Sequence, residues 1–434
     1  MNAKGKKLLG LGAGLLAGLV MLTGCGGAQP GGADGSANAS AWVVTGGTHE
    51  IIWRDSFENW SKANPDQAID TEWFANDAYK EKIRTAVGSG NPPTLIFSWG
   101  GGTLRDYVTN NKVIDITDQT SAYTDKVLPS ILEGGKVDGK LYAFPNVGTQ
   151  PKLMYYNKEL FDKAGLEFPK TWDELMKAVE TFKAQGVIPI ALAGASKWTS
   201  MMWLEYAFER VGGSEVFDAI KAGEADAWSN PKAIEALTMV QDLIKAGAFG
   251  DSYGSVVADA NADAALIHTG KAAMLLQGSW CYGTFLVDAP DFVKSGKLGF
   301  APFPVVEGGK GDPSAITGNQ ANFWSVSAAA SDKQKESATN YLETLVSDDF
   351  VKAMVDGGDI PYTVGADKFF AGAEQEDFLT MGYSMVSNAS NFQLSWDQEL
   401  PSDTSQTLLE NVQQLFDLSI TPQQFADNMN ATIK

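Results

Sequence analysis

Four of the 12 tryptophans stand apart from any helical stripe. Trp99 and Trp280 follow short apolar runs, and Trp198 and Trp396 sit in polar segments. Indole faces held at strand ends beside hydrogen-bonding groups suit a ligand with an apolar face and a polar rim. Asp397, directly after Trp396, could accept two hydrogen bonds from such a rim or start a helix near Pro401. Asp397 and Glu399 also raise hydrolysis between two carboxylates, a chemistry that needs acids roughly 5–10 Å apart across a cleft. Other chemistries lack parts. The 2 histidines, His49 and His268, form no H-E-x-x-H pair, no G-x-S-x-G elbow occurs, and we expect neither a metal nor a cofactor. Gly100-Gly101-Gly102 has neither the P-loop nor the dinucleotide spacing, which leaves close backbone approach to a neutral ligand or a tight turn.

These residues have to be positioned by the elements around them, and the chain turns on residues 141–158, LYAFPNVGTQPKLMYYNK. Two strand-like runs flank a polar break. Gly148 permits unusual dihedrals, and Pro151 removes a donor and biases Gln150 toward extended geometry. The break reads as a crossover between two lobes, or as an ordinary strand-loop-strand connection. Before it, strands at 42–45, 67–74 and 95–99 alternate with helical stripes on Trp53, Phe57 and Trp60 and on Tyr79, Ile83 and Val87. The alternation predicts a parallel-dominated sheet flanked by helices, with ligands beyond the strand ends. Asp77 follows the second strand as a ligand contact or a helix cap, with Tyr79 two residues on. After the break, Thr171 to Glu174 is a capping box opening a helix on Trp172, Leu175, Val179 and Phe182. Strands are expected at 187–193, 270–280 and 297–304, and a polar stretch with Asn319, Gln320 and Asn322 follows. The remainder reads as mainly helical. Trp53, Trp60 and Trp172, at helical spacing, are assigned to the core.

At 434 residues and 44% hydrophobic content, two lobes are the default. The net charge of −20 makes nucleic acid an improbable partner. Lys4, Lys6 and Lys7 precede an apolar run from Leu8 to Met21, the n-region and h-region of a secretory signal. Leu22-Thr23-Gly24-Cys25 resembles a bacterial lipobox, which implies cleavage before Cys25 and its lipidation. Residues 26–40 read as a flexible tether spanning about 20 Å. Cys281 then has no internal partner and reads as a buried, inert thiol.

From Trp42 onward the chain resembles the carbohydrate-binding lipoproteins of ABC importers, the extracellular solute-binding proteins of family 1 that include maltose-binding proteins. Four stretches carry the likeness: YKEKIRTAVGSG at 79–90, GKLYAFP at 139–145, YYNKELFDKAG at 155–165 with PKTWDE at 169–174, and 270–280 from GKAAM to GSW. The resemblance implies an α/β, two-lobed periplasmic-binding-protein fold (type II) with hinge crossovers. Its expected division is a signal peptide over 1–24, the lipidated cysteine and linker over 25–40, one lobe from 41–148 and 299–341, and another from 149–298 and 342–434. By the same resemblance Trp280 and Trp396 match aromatic rings that pack on sugars. Thr48 and His49 occupy a turn that often contacts ligand, and Gln150 stands where an acidic contact is expected. The implied function is capture of a neutral oligosaccharide without catalysis, by a monomer lipid-anchored at the extracellular face of the cell membrane, for delivery to membrane permease subunits. The candidate loops offer Trp, Asn, Gln and Thr in place of an arginine cluster. Segment 391–398, NFQLSWDQ, most resembles binders of xylo-oligosaccharides, with gluco- or galacto-oligosaccharides as the alternative.

Overall fold

A computed structural model describes residues 38–433. The leader, Cys25 and the tether up to residue 37 lie outside the described residues. Two sheets carry the architecture. The first runs Ile69–Phe74, Ala39–Val44, Leu95–Ser98, Asn322–Val326, Phe144–Val147. The second runs Phe392–Leu394, Ile316–Asn319, Gln150–Asn157, Ala272–Gly278, Ile188–Ala191, with Leu298–Ala301 added on Gln150–Asn157. Ala39–Val44 begins inside the stretch read as linker, so Ala39 and Ser40 belong to the first sheet.

The expected parallel dominance does not hold: parallel pairing is limited to the strand-helix-strand units of the first lobe and to the two ends of the second sheet, where Ile188–Ala191 runs parallel to Ala272–Gly278 and Ile316–Asn319 to Phe392–Leu394. Ala39–Val44 is parallel to both Ile69–Phe74 and Leu95–Ser98. Asn322–Val326 arrives from the other lobe and lies antiparallel between Leu95–Ser98 and Phe144–Val147. The long strand Gln150–Asn157 is likewise antiparallel to its neighbours Ala272–Gly278, Ile316–Asn319 and Leu298–Ala301.

Each sheet has its own core. Trp53, Phe57, Phe97, Trp324 and Tyr341 interlock edge-on and stacked in the first. Helix Trp172–Ala184, with both bonds of its capping box made, buries Trp172, Leu175, Val179 and Phe182 in the second. The pairing moves the expected lobe boundaries. Leu298–Ala301 and Ile316–Asn319 belong to the second sheet, so the return to the first lobe falls between Asn319 and Asn322 instead of at 299. Helices Asp332–Leu342 and Asp348–Asp356 bury Tyr341, Phe350 and Met354 in the first core, and Tyr362 and Ala366 follow them there. The last crossover therefore lies beyond Ala366 and not at 342, because Phe378 already packs against Tyr155 and Tyr282 of the second lobe.

The first crossover lies between Val147 and Gln150, as the broken strand indicates. Gly148 is required there for space. A Cβ on it would lie 2.3 Å from the carbonyl oxygen of Ile360, whose backbone accepts the Thr149 N–H at 2.8 Å. With the 319–322 segment, whose Asn319 and Asn322 pair with Gln150 and Val147, three chain segments run side by side where the lobes meet.

Candidate functional site

A cavity of about 170 Å³ lies between the lobes, walled by both. Trp99 enters it from the end of the first lobe's Leu95–Ser98 strand. Trp198 and Trp280 enter from the second lobe, each as the first residue of a helix, Trp198–Gly212 and Trp280–Asp288. Their ring centroids are 6.1 Å apart at 53°. All three rings are half-buried. His49, Gln150, Asn319 and Asp397 line the same space.

The other sequence candidates stand elsewhere. Trp396 is fully buried in the second core, stacked on Phe217 at 4.9 Å and edge-on to Phe208 and Trp228; its ring is a core element, and the expected sugar platform is corrected. Tyr79 is fully buried with its hydroxyl donating to the Phe97 carbonyl at 2.7 Å, so it holds the first core together. Thr48 turns from the cavity to donate to the Gly357 carbonyl at 2.8 Å. Gln320, half-buried on the crossover, is outside the lining, with its Oε1 beside Gly134. Asp77 sits at the rim as an interlobe tie. Its carboxylate accepts from Trp198 Nε1 at 3.1 Å, and its backbone N–H donates to Asp259 at 3.0 Å. The Gly100 triplet belongs to the lobe contact too. A Cβ on Gly101 would meet the Gln398 carbonyl at 2.5 Å, and one on Gly102 would meet that of Leu400 at 2.4 Å.

Several lining groups escaped the sequence reading. Lys80 reaches across the cleft to Asp397 at 3.1 Å, with its ammonium 5.0 Å from the Trp99 ring centroid. Asp397 is further held by Gln398 Nε2 at 2.8 Å. Lys152, on the crossover strand, forms a buried ion pair with Glu205 and donates to Ser395 Oγ at 2.8 Å. That hydroxyl donates to Asn319 Oδ1 at 3.0 Å, and Asn319 Nδ2 donates to Gln150 Oε1 at 3.2 Å. A charged residue directly before the apolar run Leu153 to Tyr156 of a strand is the available signal for Lys152. Asn322, noted only as part of a polar stretch, lines the cavity with its buried Oδ1 unpaired.

The acids are mostly engaged. Burial pushes the Asp263 carboxyl up, against hydrogen bonds from Gln277 Nε2 and the Ala264 N–H. Burial, reinforced by the facing charge of Asp77, raises Asp259 as well. Burial also raises Glu205, while the Lys152 ammonium draws it back. His49 is paired with Asp359. Glu399 turns to Arg105 at 3.1 Å and is not part of the lining, so Asp397 and Glu399 do not face one space. Cys281 is buried, and burial pushes its thiol well above the ordinary range. Among the described residues, no group of three or more His, Cys, Asp or Glu could hold a metal ion, and no helix is long and apolar enough to cross a membrane.

Comparison with known proteins agrees on one family. The family profile described as Bacterial extracellular solute-binding protein matches residues 46–352. An sn-glycerol-3-phosphate-binding periplasmic protein of Rhizobium meliloti (strain 1021) is 29% identical over 293 residues, covering 62% of each chain. The match thus spans less than two thirds of that relative's length. A solved structure from work on xylan utilization by the thermophilic bacterium Caldanaerobius polysaccharolyticus superposes with a TM-score of 0.82 at 29% identity, over 92% of this chain and 100% of that one. A chitin oligosaccharide binding protein superposes with a TM-score of 0.77 at 22% identity, over 88% and 93% of the two chains.

Proposed function

Because the chain belongs to the bacterial extracellular solute-binding protein family, with the type II periplasmic-binding-protein fold, we propose that it captures a neutral oligosaccharide between its lobes for an ABC importer. A xylo-oligosaccharide is the favoured ligand, and a gluco- or galacto-oligosaccharide the alternative. One observation carries this reading: three half-buried indoles from both lobes surround a single cleft whose cations are each matched by an acid. Sugar rings stack their C–H faces on indoles and take hydrogen bonds from groups such as Gln150, Asn319 and Asn322. A phosphate ester asks for unpaired cations, preferably a bidentate guanidinium. Among the described residues no arginine lines this cleft, and Lys80 and Lys152 are both paired, which supports a sugar over glycerol 3-phosphate. The likeness to the structure from xylan-utilization work supports the xylo-oligosaccharide choice.

The sugar selects the closed form, since only there do both walls contact it. The protein acts as a monomer and is held at the extracellular face through lipid on Cys25, a residue outside those described. The lead experiment is calorimetry against xylo-, cello-, malto- and chito-oligosaccharides and glycerol 3-phosphate, with small-angle scattering on the saturated complex. A neutral oligosaccharide is expected to bind and to shrink the radius of gyration, and to be recovered intact. Preference for glycerol 3-phosphate, or recovery of cleaved sugar, contradicts the proposal.

A further inference from the structure

The buried Lys152–Glu205 pair is costly to maintain and is not demanded by the fold around it. Lys152 is 1% exposed and Glu205 0%, whereas Met154, on the same face of the strand, and Met201 and Met202, on the Glu205 helix, are ordinary apolar neighbours. Taking two such charges out of water is offset only by tight pairing and full hydrogen bonding, and apolar replacements of similar size are often neutral or stabilising. Glu205 is fully engaged. One oxygen takes the Lys152 ammonium and the other accepts the Trp396 N–H at 2.9 Å, and Glu205 does not line the cavity. Lys152 does line it. Two of its three N–H donors go to Glu205 and Ser395, and among the described residues the third has no acceptor. It lies with Gln150, Ser395 and Asn319 on one hydrogen-bonded floor.

We propose that Lys152 donates directly to the sugar and that Glu205, behind it, is the positioning residue that keeps this donor electrically neutral and so decides for neutral over acidic saccharides. This rests on the carbohydrate reading of the cleft. An ammonium at the floor of a closed cleft would by itself attract a uronate or phosphate. The Glu205 carboxylate cancels that field at short range while leaving one N–H free for a hydroxyl or ring oxygen. The other cation of the cleft, Lys80, is cancelled by Asp397, and Asp259 and Asp263 add no positive charge.

The test compares xylotriose with an aldotetraouronic acid, xylotriose carrying one uronic acid, by calorimetry on the full mature chain. Glu205→Gln leaves the Lys152 charge uncompensated. At about 6 Å and an effective dielectric near 20, that shifts the neutral-to-acidic affinity ratio by roughly a hundredfold toward the acid. Glu205→Asp should restore most of the wild-type ratio. An unchanged ratio in Glu205→Gln, whatever happens to xylotriose affinity alone, overturns the proposal. If Glu205→Gln does not fold, the double variant Lys152→Met, Glu205→Leu decides. It buries no charge but leaves the buried Trp396 N–H without its acceptor, so it should fold and melt below wild type, and it should bind xylotriose at least tenfold more weakly. Undiminished xylotriose binding in that variant overturns the donor role of Lys152. Wild-type protein that binds no neutral oligosaccharide at all overturns this proposal together with the carbohydrate reading. Neutral binding without the ratio shift overturns this proposal alone.

Discussion

Gly283 offers a substitution whose effects on binding and on folding should have opposite signs. It lies in helix Trp280–Asp288 of the second lobe and faces the first turn of helix Gly47–Ala63 of the first. A Cβ on Gly283 would stand 2.2 Å from Thr48 Oγ1, 3.2 Å from Thr48 N and 3.3 Å from Thr48 Cβ. Thr48 cannot swing aside freely, because its hydroxyl is tied to the Gly357 carbonyl at 2.8 Å. Ordinary contact needs about 3.5 Å, so the two helices must part by roughly 1 Å. Overpacking of this kind costs about 1–3 kcal/mol, and the strain exists only while the lobes are closed. Gly283→Ala should therefore raise the sugar Kd by about 5- to 150-fold. In the open protein the same change replaces a mid-helix glycine and contributes up to about 1 kcal/mol of helix stability, so the unliganded melting temperature should hold or rise. Adding Thr48→Ala removes the worst clash and should recover part of the affinity. Calorimetry, melting and small-angle scattering on both variants check this. A lowered unliganded melting temperature with intact sugar affinity would falsify the reasoning, because it would mean these helices belong to one rigid body.

Trp280 and Trp396 should separate cleanly. Trp280→Ala is expected to weaken sugar binding by about 2 kcal/mol, roughly thirtyfold, with little loss of stability. Trp396→Ala should cost about 3–5 kcal/mol of folding stability, seen as an earlier urea midpoint, since its ring touches three other aromatic side chains. Asp115 supplies a pH test away from the cleft. Hydrogen bonds from the Thr117 hydroxyl, then Lys140 and the Thr117 N–H, lower its carboxyl to about 2. Its stabilisation is then complete above the unfolded value near 3.9 and disappears as pH falls through about 2. Asp115→Ala should be destabilised by about 1 kcal/mol at neutral pH, and the gap from wild type in urea unfolding should narrow between about pH 4 and pH 2. A gap that stays constant over that range contradicts the assignment.

Local signals carried the elements well, and long-range pairing was where they ran out. The capping box at Thr171 and the break at Gly148 are written in consecutive residues, and both appear in the structure. Which sheet Leu298–Ala301 joins is not written locally, since an apolar run of four residues fits either. Its antiparallel register against Met154 to Asn157 is decided by where the chain turns over 140 residues earlier. Lys152 shows the same limit. Its presence beside the apolar run Leu153 to Tyr156 was visible, but its partner lies 53 residues away on helix Trp198–Gly212, and nothing local links the two.

Trp280 and Trp396 show how narrow the missing information can be. Each follows a strand, each is preceded by serine, and each opens a helix, Trp280–Asp288 or Trp396–Glu399. The residue two positions before each tryptophan differs. Before Trp280 stands Gly278, and a Cβ there would lie 1.9 Å from the indole Cζ3, so only glycine lets that ring lie back on its own strand end. Folded this way, the ring remains at the mouth of the second lobe beside Trp198. Before Trp396 stands Leu394, which denies that position to an indole. Phe208, Phe217 and Trp228, brought in by distant helices, provide a closed aromatic slot instead. Gly-Ser-Trp against Leu-Ser-Trp is thus a local difference with a steric meaning. It follows that Gly278→Leu should drive the Trp280 ring off its strand end and weaken sugar binding as much as Trp280→Ala does. Unchanged affinity in Gly278→Leu would show that the ring reaches the cleft by another route.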